Sequence, residues 1–258
     1  MNKSTFSVFL SIVFTIVFLA SCSKDPASFD TKTKIRVVHA SPNAPAVNLL
    51  LNGTNIASGV TFTGTTPYLT TEAGFNVLQV VPVDRNAQAL SSLRSTLRDT
   101  LISSRDNYLF DFNYTVFAAD TVANADSTRR ITPIIVFDNL NLPSATALDT
   151  TALVRFFHLA PGAPNVTVAR VGTDTLATQG LFVNRPFSRT IATSQQIYTS
   201  VRPGTYNLVV RQANTLTQVL NVGNVNFEAG KAYTIYARGF SGGQPLSHGV
   251  LVYDYKTD

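Results

Sequence analysis

An internal repeat sets the strongest limit on how this chain folds. Residues 35–53 read IRVVHASPNAPAVNLLLNG and residues 154–172 read VRFFHLAPGAPNVTVARVG, with seven of nineteen positions identical at an offset of 119. Further blocks recur in the same order: residues 68–74 with 198–204, 75–80 with 206–211, 107–112 with 232–237, and 134–138 with 250–254. Each copy spans about 110 residues, which is the size of an ordinary domain. The pattern predicts a tandem duplication of a whole domain rather than a solenoid of short repeats.

The repeated blocks have the composition of β-strands. VNLLLN, FNVLQVV and YLFDFNY are short, rich in β-branched and aromatic residues, and bounded by Gly, Pro or Asn. Residues 86–99 could form an amphipathic helix, but their second-copy counterpart favours a strand, so we expect a strand in both. Regularly spaced strands predict an all-β fold of two tandem immunoglobulin-like antiparallel β-sandwich domains. The antibody hallmarks are missing, because the sequence has no tryptophan and a single cysteine.

The N-terminal segment has the features of a lipoprotein signal peptide. Lys3 precedes FSVFLSIVFTIVF, an apolar run of roughly 15 residues, which is shorter than the roughly 20 that a spanning helix needs. The run ends in LASC, which resembles the lipobox of bacterial lipoproteins, with Cys22 as the acylated residue. The following SKDP resembles the export signals of surface-displayed lipoproteins. We therefore expect a lipid-anchored, extracytoplasmic protein at the outer membrane or cell surface.

These features together predict the organisation of the chain. The predicted segments are a signal peptide at 1–21, a tether at 22–33, a β-sandwich domain at 34–142, a linker at 143–152 and a second β-sandwich domain at 153–258.

Each predicted domain opens with the same signature. Its residues are Arg36, His39, Pro42 and Pro45 in the first copy, and Arg155, His158, Pro161 and Pro164 in the second. The signature, with the later AGFNVLQV, PGTYNLVV and EAGKAYTIYARG, resembles the bacterial domain-of-unknown-function 4397 family. The resemblance covers nearly all of 34–142 and 153–258. It implies extracytoplasmic β-sandwich modules, often in lipoproteins, and no established activity.

The sequence offers little that is typical of catalysis. His39 and His158 have no Glu or second His at metal-ligand spacing, so we expect an imidazole nitrogen of each to bond a backbone group in the proline-rich turn. A two-histidine metal site between the domains is the alternative, and we expect no metal and no cofactor. Asp111 and Asp254 show no spacing that favours glycosidase chemistry. The net charge is +5, but the arginines are scattered, which argues against a nucleic-acid partner.

Two regions are candidates for surface recognition or modification. Phe182, Arg185, Phe187 and Arg189 combine aromatic and guanidinium groups in a predicted loop, a mixture favoured at interfaces. The alternative for this loop is a hairpin extension packed on the sheet. Short Asp-Ser/Thr motifs resemble bacterial O-glycosylation acceptors, and the candidates are Thr121, Ser127 and Thr150.

The sequence thus predicts a membrane-anchored lipoprotein that is not an enzyme and that acts in binding or in envelope structure. Its expected partner is a protein or a glycan. The alternatives are a carbohydrate-active enzyme or its accessory module, and a surface adhesin.

Overall fold

The computed structural model describes residues 32–83, 102–108, 112–120, 131–138, 150–175, 180–240 and 246–254. In the first half of this described chain the strands are β1 (Lys32–His39), β2 (Val47–Leu51), β3 (Thr54–Val60), β4 (Leu69–Glu72), β5 (Gly74–Pro82), β6 (Ile102–Tyr108), β7 (Asn113–Ala119) and β8 (Thr132–Phe137). In the second half the elements are β9 (Ala152–His158), β10 (Val166–Arg170), β11 (Phe182–Arg185), α1 (Thr193–Gln196), β12 (Thr199–Val201), β13 (Gly204–Gln212), β14 (Gln218–Phe227), β15 (Lys231–Arg238) and β16 (Ser247–Asp254).

The strands form four sheets of four strands each, and the two halves repeat one topology. The first half contains the sheets β4-β1-β7-β8 and β3-β2-β5-β6. The second half contains β12-β9-β15-β16 and β11-β10-β13-β14, in the same relative order. The all-β prediction is confirmed, and the four sheets are consistent with two β-sandwiches.

Alternation along the strands builds a separate core in each half. In the first half Ile35, Val37 and Val116 from one sheet pack against Leu49 and Leu78 from the other. In the second half Val154, Phe156 and Ile235 face Val168 and Leu208 in the same way. Each of these side chains is almost fully buried, which contributes about 1.5–3 kcal/mol per large apolar residue.

The sheets that contain β1 and β9 are buried on both faces, and we call them the inner sheets. Every residue of β7 and of β9 is buried. Their sequences, NYTVFAA and ALVRFFH, lack the apolar-polar alternation of a strand with one solvated face. Each inner sheet also contains a parallel pair, β1 with β7 and β9 with β15. The expectation of wholly antiparallel sheets is therefore wrong for these two pairs. Parallel pairing is typical of strands that are buried on both faces.

A third apolar cluster joins the inner sheets of the two halves. Val38, Phe117 and Val136 from the first half pack against Phe157, Tyr236 and Leu251 from the second. Ring centroids of Phe117 and Tyr236 lie 5.1 Å apart. We call this contact the inter-half interface. Because of it, residues Lys32–Asp258 form one compact unit.

Gly249 shows how closely this interface is packed. A Cβ atom at this position would overlap the ring of Tyr236, which lies opposite it in the β15–β16 pair. In the first half the corresponding pair is Phe117 with Ile134, so the aromatic residue stands on the equivalent strand and isoleucine takes the position of the glycine. The two halves thus fill equivalent space with different side chains.

The strand registers correct three of the aligned repeat blocks. Thr115 lies opposite Arg36 and Thr234 opposite Arg155, so NYTVFA at 113–118, and not NYLFDF at 107–112, corresponds to AYTIYA at 232–237. YLFDFNY is not one strand either, because β6 ends at Tyr108 and β7 begins at Asn113.

The other two corrections are shifts by one residue. Leu78 lies opposite Leu51, and Leu208 lies opposite Arg170, so these two buried leucines correspond. In the last strands Val136 corresponds to Leu251, which places Tyr253 rather than Asp254 at the position of Asp138. The predicted strand at 86–99 lies outside the described residues, as do most of the predicted tether and linker.

Candidate functional site

A buried carboxylate lies between two arginines in the inter-half interface. Asp138 and Arg155 are fully buried, and Arg155 Nη2 lies 2.6 Å from Asp138 Oδ1. Arg36 Nη2 lies 3.6 Å from Asp138 Oδ2. The hydroxyls of Tyr68 and Thr115 also donate to Oδ2, at 2.7 and 2.5 Å. This carboxylate is therefore fully paired, as a charge in a dry interior must be.

The two arginines make the same bond within their own halves. Arg36 Nε donates to Thr115 Oγ1 at 2.7 Å, and Arg155 Nε donates to Thr234 Oγ1 at 2.8 Å. Each threonine lies opposite its arginine in the parallel pair of the inner sheet. The signature arginine and the inner-sheet threonine therefore form one repeated unit.

Each arginine also crosses to the opposite half. Arg36 Nη1 donates to the Val252 carbonyl at 3.0 Å, and Arg155 Nη1 donates to the Phe137 carbonyl at 2.5 Å. Val252 and Phe137 occupy equivalent positions in the last strands of the two halves. The contact is therefore isologous, in that each half presents the same groups to the other as in a twofold dimer.

Two equivalent tyrosines cover the guanidinium groups. Arg36 lies 4.6 Å from the ring centroid of Tyr68, and Arg155 lies 4.4 Å from that of Tyr198. Burial, followed by the nearby Asp138 carboxylate, raises the pKa of Tyr68, and burial raises the pKa of Tyr198 to about 12. Both hydroxyls therefore stay protonated and act as donors, Tyr198 to the Asp138 carbonyl at 3.1 Å.

Asp138 breaks the symmetry of the interface. Its counterpart Tyr253 accepts a hydrogen bond at 3.0 Å from Asn113 of the first half. One carboxylate thus serves two arginines. Sequence reasoning assigned the arginines to the domain signature but missed Asp138, because the aligned block paired it with Asp254. The repeated Tyr68 and Tyr198 were the sequence feature that could have indicated this cluster, because each covers one of the two arginines.

The signature histidines form the bond that the sequence predicts. His39 Nε2 lies 3.1 Å from the Pro45 carbonyl, and His158 Nε2 lies 3.1 Å from the Pro164 carbonyl. Since a carbonyl only accepts, Nε2–H is the donor in both rings. Burial lowers the pKa of each histidine, and the carbonyl bond acts in the opposite direction. The neutral imidazole is therefore the form that holds each turn, which begins at Pro42 or Pro161.

The structure distributes the four residues of the predicted binding loop over different environments. Phe182 belongs to β11 and to the second core, where its ring centroid lies 6.2 Å from that of Phe156. Arg185 lies over the Phe182 ring at 5.8 Å. Phe187 packs edge-on against His158 at 6.2 Å, as Phe62 packs against His39 at 6.4 Å. These residues do not share one exposed surface.

Arg189, the fourth residue, reaches across the inter-half interface. Its guanidinium forms an ion pair with the buried carboxylate of Asp120 in the first half. The insertion that follows contains α1, whose Gln196 donates from Nε2 to the Ile191 carbonyl and accepts from the Phe137 N–H at 3.1 Å. These contacts favour the alternative interpretation of this segment, an extension packed on the sheet, over a binding loop.

The remaining predicted residues are placed as follows. Cys22, Asp111, Thr121 and Ser127 lie outside the described residues, and Thr150 is exposed. Asp254 lies opposite Lys231 in the β15–β16 pair. Within the described ranges, no three His, Cys, Asp or Glu residues cluster as a metal site, and no helix is long and apolar enough to cross a bilayer.

The strands and the buried cluster define an all-β protein of four sheets whose two halves are joined through a buried ionic interface. The chain belongs to the family named Domain of unknown function (DUF4397), which matches residues 33–169. That match covers the first half and continues through β9 into β10. No curated protein matches the chain.

Two solved structures are similar to the chain at low sequence identity. CBMbc (family CBM26) from Eubacterium rectale Amy13K, solved in complex with maltoheptaose, is 11% identical, with 86% of this chain and 96% of that chain covered and a TM-score of 0.24. A candidate cell adhesion protein from Bacteroides eggerthii is 12% identical, with 88% and 96% covered and a TM-score of 0.17.

Replacement of Asp138 by Asn tests the buried cluster. The change keeps the shape of the side chain but leaves two buried guanidiniums without a counter-charge, so we expect the free energy of unfolding to fall by about 3–5 kcal/mol. Glu72→Gln is the matched control, because it removes the carboxylate of the exposed Lys32–Glu72 pair and should cost less than about 1 kcal/mol. Urea denaturation measures both, and equal losses would contradict the assignment.

The buried histidines predict a pH dependence of stability. Unfolded histidine titrates near pH 6.5, whereas burial lowers the pKa in the fold, so the unfolded state binds more protons below that pH. Stability should be flat from pH 8.5 to 7.5 and fall from about pH 6.5 to 5.5, by at most about 1.4 kcal/mol per pH unit for each histidine. Denaturation of a His39→Gln/His158→Gln variant should show a shallower slope, and an unchanged slope would refute the prediction.

Proposed function

We propose that this protein is a lipid-anchored extracytoplasmic lipoprotein, built from two copies of the family's module, that acts in binding or envelope structure rather than catalysis. The observation that carries this proposal is the use of the signature residues. Arg36 and Arg155 join the two halves, and His39 and His158 hold turns. The groups that would suggest chemistry are thus committed to the fold, which supports a structural or binding role.

The repeated topology supports a second module in residues 153–258. The strand order of both sheets recurs, and the Arg–Thr and His–Pro hydrogen bonds recur at equivalent positions. A domain that is duplicated within one chain is expected to keep both its signature residues and the contacts that they make. The modules act as one body, because a continuous apolar interface joins them.

The sequence supports the membrane anchor. LASC follows an apolar run of signal-peptide length, and acylation at Cys22 would supply the several chains that stable anchoring requires. The first strand begins at Lys32, so ten residues at most separate the proposed lipid site from the fold. Such a tether would hold the sandwiches close to the membrane surface.

Replacement of Cys22 by Ala tests the anchor in the full-length chain expressed in a Gram-negative host. Without the thiol no lipid is attached, so we expect the protein to leave the membrane fraction and its mature mass to lack the acyl chains. Ser23→Ala, which alters the neighbouring residue, should leave both unchanged. Membrane fractionation with intact-mass spectrometry measures the outcome, and an acylated, membrane-bound Cys22→Ala protein would overturn the proposal.

A further inference from the structure

A polar depression lies on the outward face of the sheet β11-β10-β13-β14. It is shallow and open to solvent, and its lining residues are Thr167, Ala169, Thr175, Val183, Arg211, Asn214 and Thr215. Strand alternation explains the position, because Val166, Val168 and Val210 point into the core and their neighbours point outward. The depression therefore lies on the side of this sheet that faces away from the inner sheet.

Arg211 is held in place within this depression by the buried residue Asp174, which follows the turn after β10. Its Nη1 donates to the Asp174 carbonyl oxygen at 2.9 Å. The Asp174 side chain is fully buried and is paired with Arg170, whose backbone N–H donates to Oδ2 at 2.7 Å and whose Nη2 lies 2.6 Å from Oδ1. Arg170 is the ion-pair partner of the Asp174 carboxylate, and Arg211 is held by the Asp174 carbonyl with a further charge attraction to that carboxylate.

The Arg211 guanidinium keeps donors for a ligand. Within the described part of the chain no carboxylate forms an ion pair with Arg211, and the bond to Asp174 uses only Nη1. A guanidinium presents five N–H donors in a planar fork that matches a carboxylate. Arg211 is therefore a partly buried, oriented cation on a concave surface.

The charge distribution favours an anionic ligand on this half. Residues 151–258 contain nine basic and four acidic residues, whereas residues 1–150 contain eleven of each. Two of the nine, Arg155 and Arg189, pair with carboxylates of the first half, so seven basic residues face four acidic ones in the half that carries the depression. A local excess of one sign raises the concentration of the opposite ligand near a site.

We propose that this depression binds a hexuronate residue of an acidic polysaccharide. Arg211 receives the carboxylate through its free donors, and Thr167, Thr215 and Asn214 offer hydroxyl and amide groups for the sugar hydroxyls. The exposed Val183 supplies apolar surface for the C–H face of the ring. The inference names a ligand for the binding role proposed above, and it does not depend on the lipid anchor.

The test uses the mature chain with Cys22→Ser, titrated by NMR with sodium D-glucuronate and sodium D-galacturonate. D-glucose, D-galactose and sodium acetate are the controls, because each lacks either the carboxylate or the ring hydroxyls. We expect shifts of amides in β10 and β13 with uronate and weaker or no shifts with the three controls. Acetate binding as tightly as the uronates would identify a simple anion contact and overturn the proposal.

Variants then assign the binding to this depression. Arg211→Gln should weaken uronate binding at least about tenfold, and Arg211→Lys should weaken it less, because it keeps the charge but loses the fork. Val183→Asp keeps Arg211 but places a negative charge at an exposed lining position, so it should also weaken uronate binding. Arg202→Gln, which removes an exposed arginine of the loop before β13, is the matched control and should bind as the parent does.

A far-ultraviolet circular dichroism spectrum and a melting curve check that each variant folds. Unchanged uronate affinity in folded Arg211→Gln and Val183→Asp would overturn the assignment. Absence of any uronate binding would overturn the ligand class. Neither result would affect the Cys22 experiment, which tests the anchor separately.

Discussion

The carboxylate of Asp138 is the group on which the joined structure depends. It accepts from Arg155 of one half and from Tyr68 and Thr115 of the other, inside an interface that excludes water. A buried ion pair is seldom a net gain over apolar packing, but removal of one partner leaves an uncompensated charge. The pair therefore fixes how the halves align, while apolar contacts such as Phe117 with Tyr236 supply the driving force.

The isologous contact connects the repeated topology of the two halves with the signature residues. Arg36 and Arg155 recur because each binds a threonine of its own half and a last-strand carbonyl of the other. A domain that duplicated within one chain can keep such a face without a separate partner, and its two copies can then diverge. Asp138 at the position equivalent to Tyr253, and Ile134 at the position equivalent to Gly249, are differences of this kind.

The sequence predicts the strands and the duplication, because periodicity and repeated turns are local properties. The His39 and His158 bonds follow from the same local logic, since a histidine six residues before a proline carbonyl can reach it. The inter-half interface cannot be predicted in this way. The apolar sequences of β7 and β9 look like those of any buried strand, and only the fold shows that both faces of these strands are covered. The depression at Arg211 is equally hidden, since its lining comes from several segments.

Cleavage between the halves measures the central claim most directly. A protease site placed in residues 139–149 allows the chain to be cut after folding, and size-exclusion chromatography with light scattering then reports the mass in solution. The apolar cluster and the buried Arg155–Asp138 pair across the halves predict that the two fragments stay together at the mass of the intact chain. Separation into two folded fragments without denaturant would contradict the account.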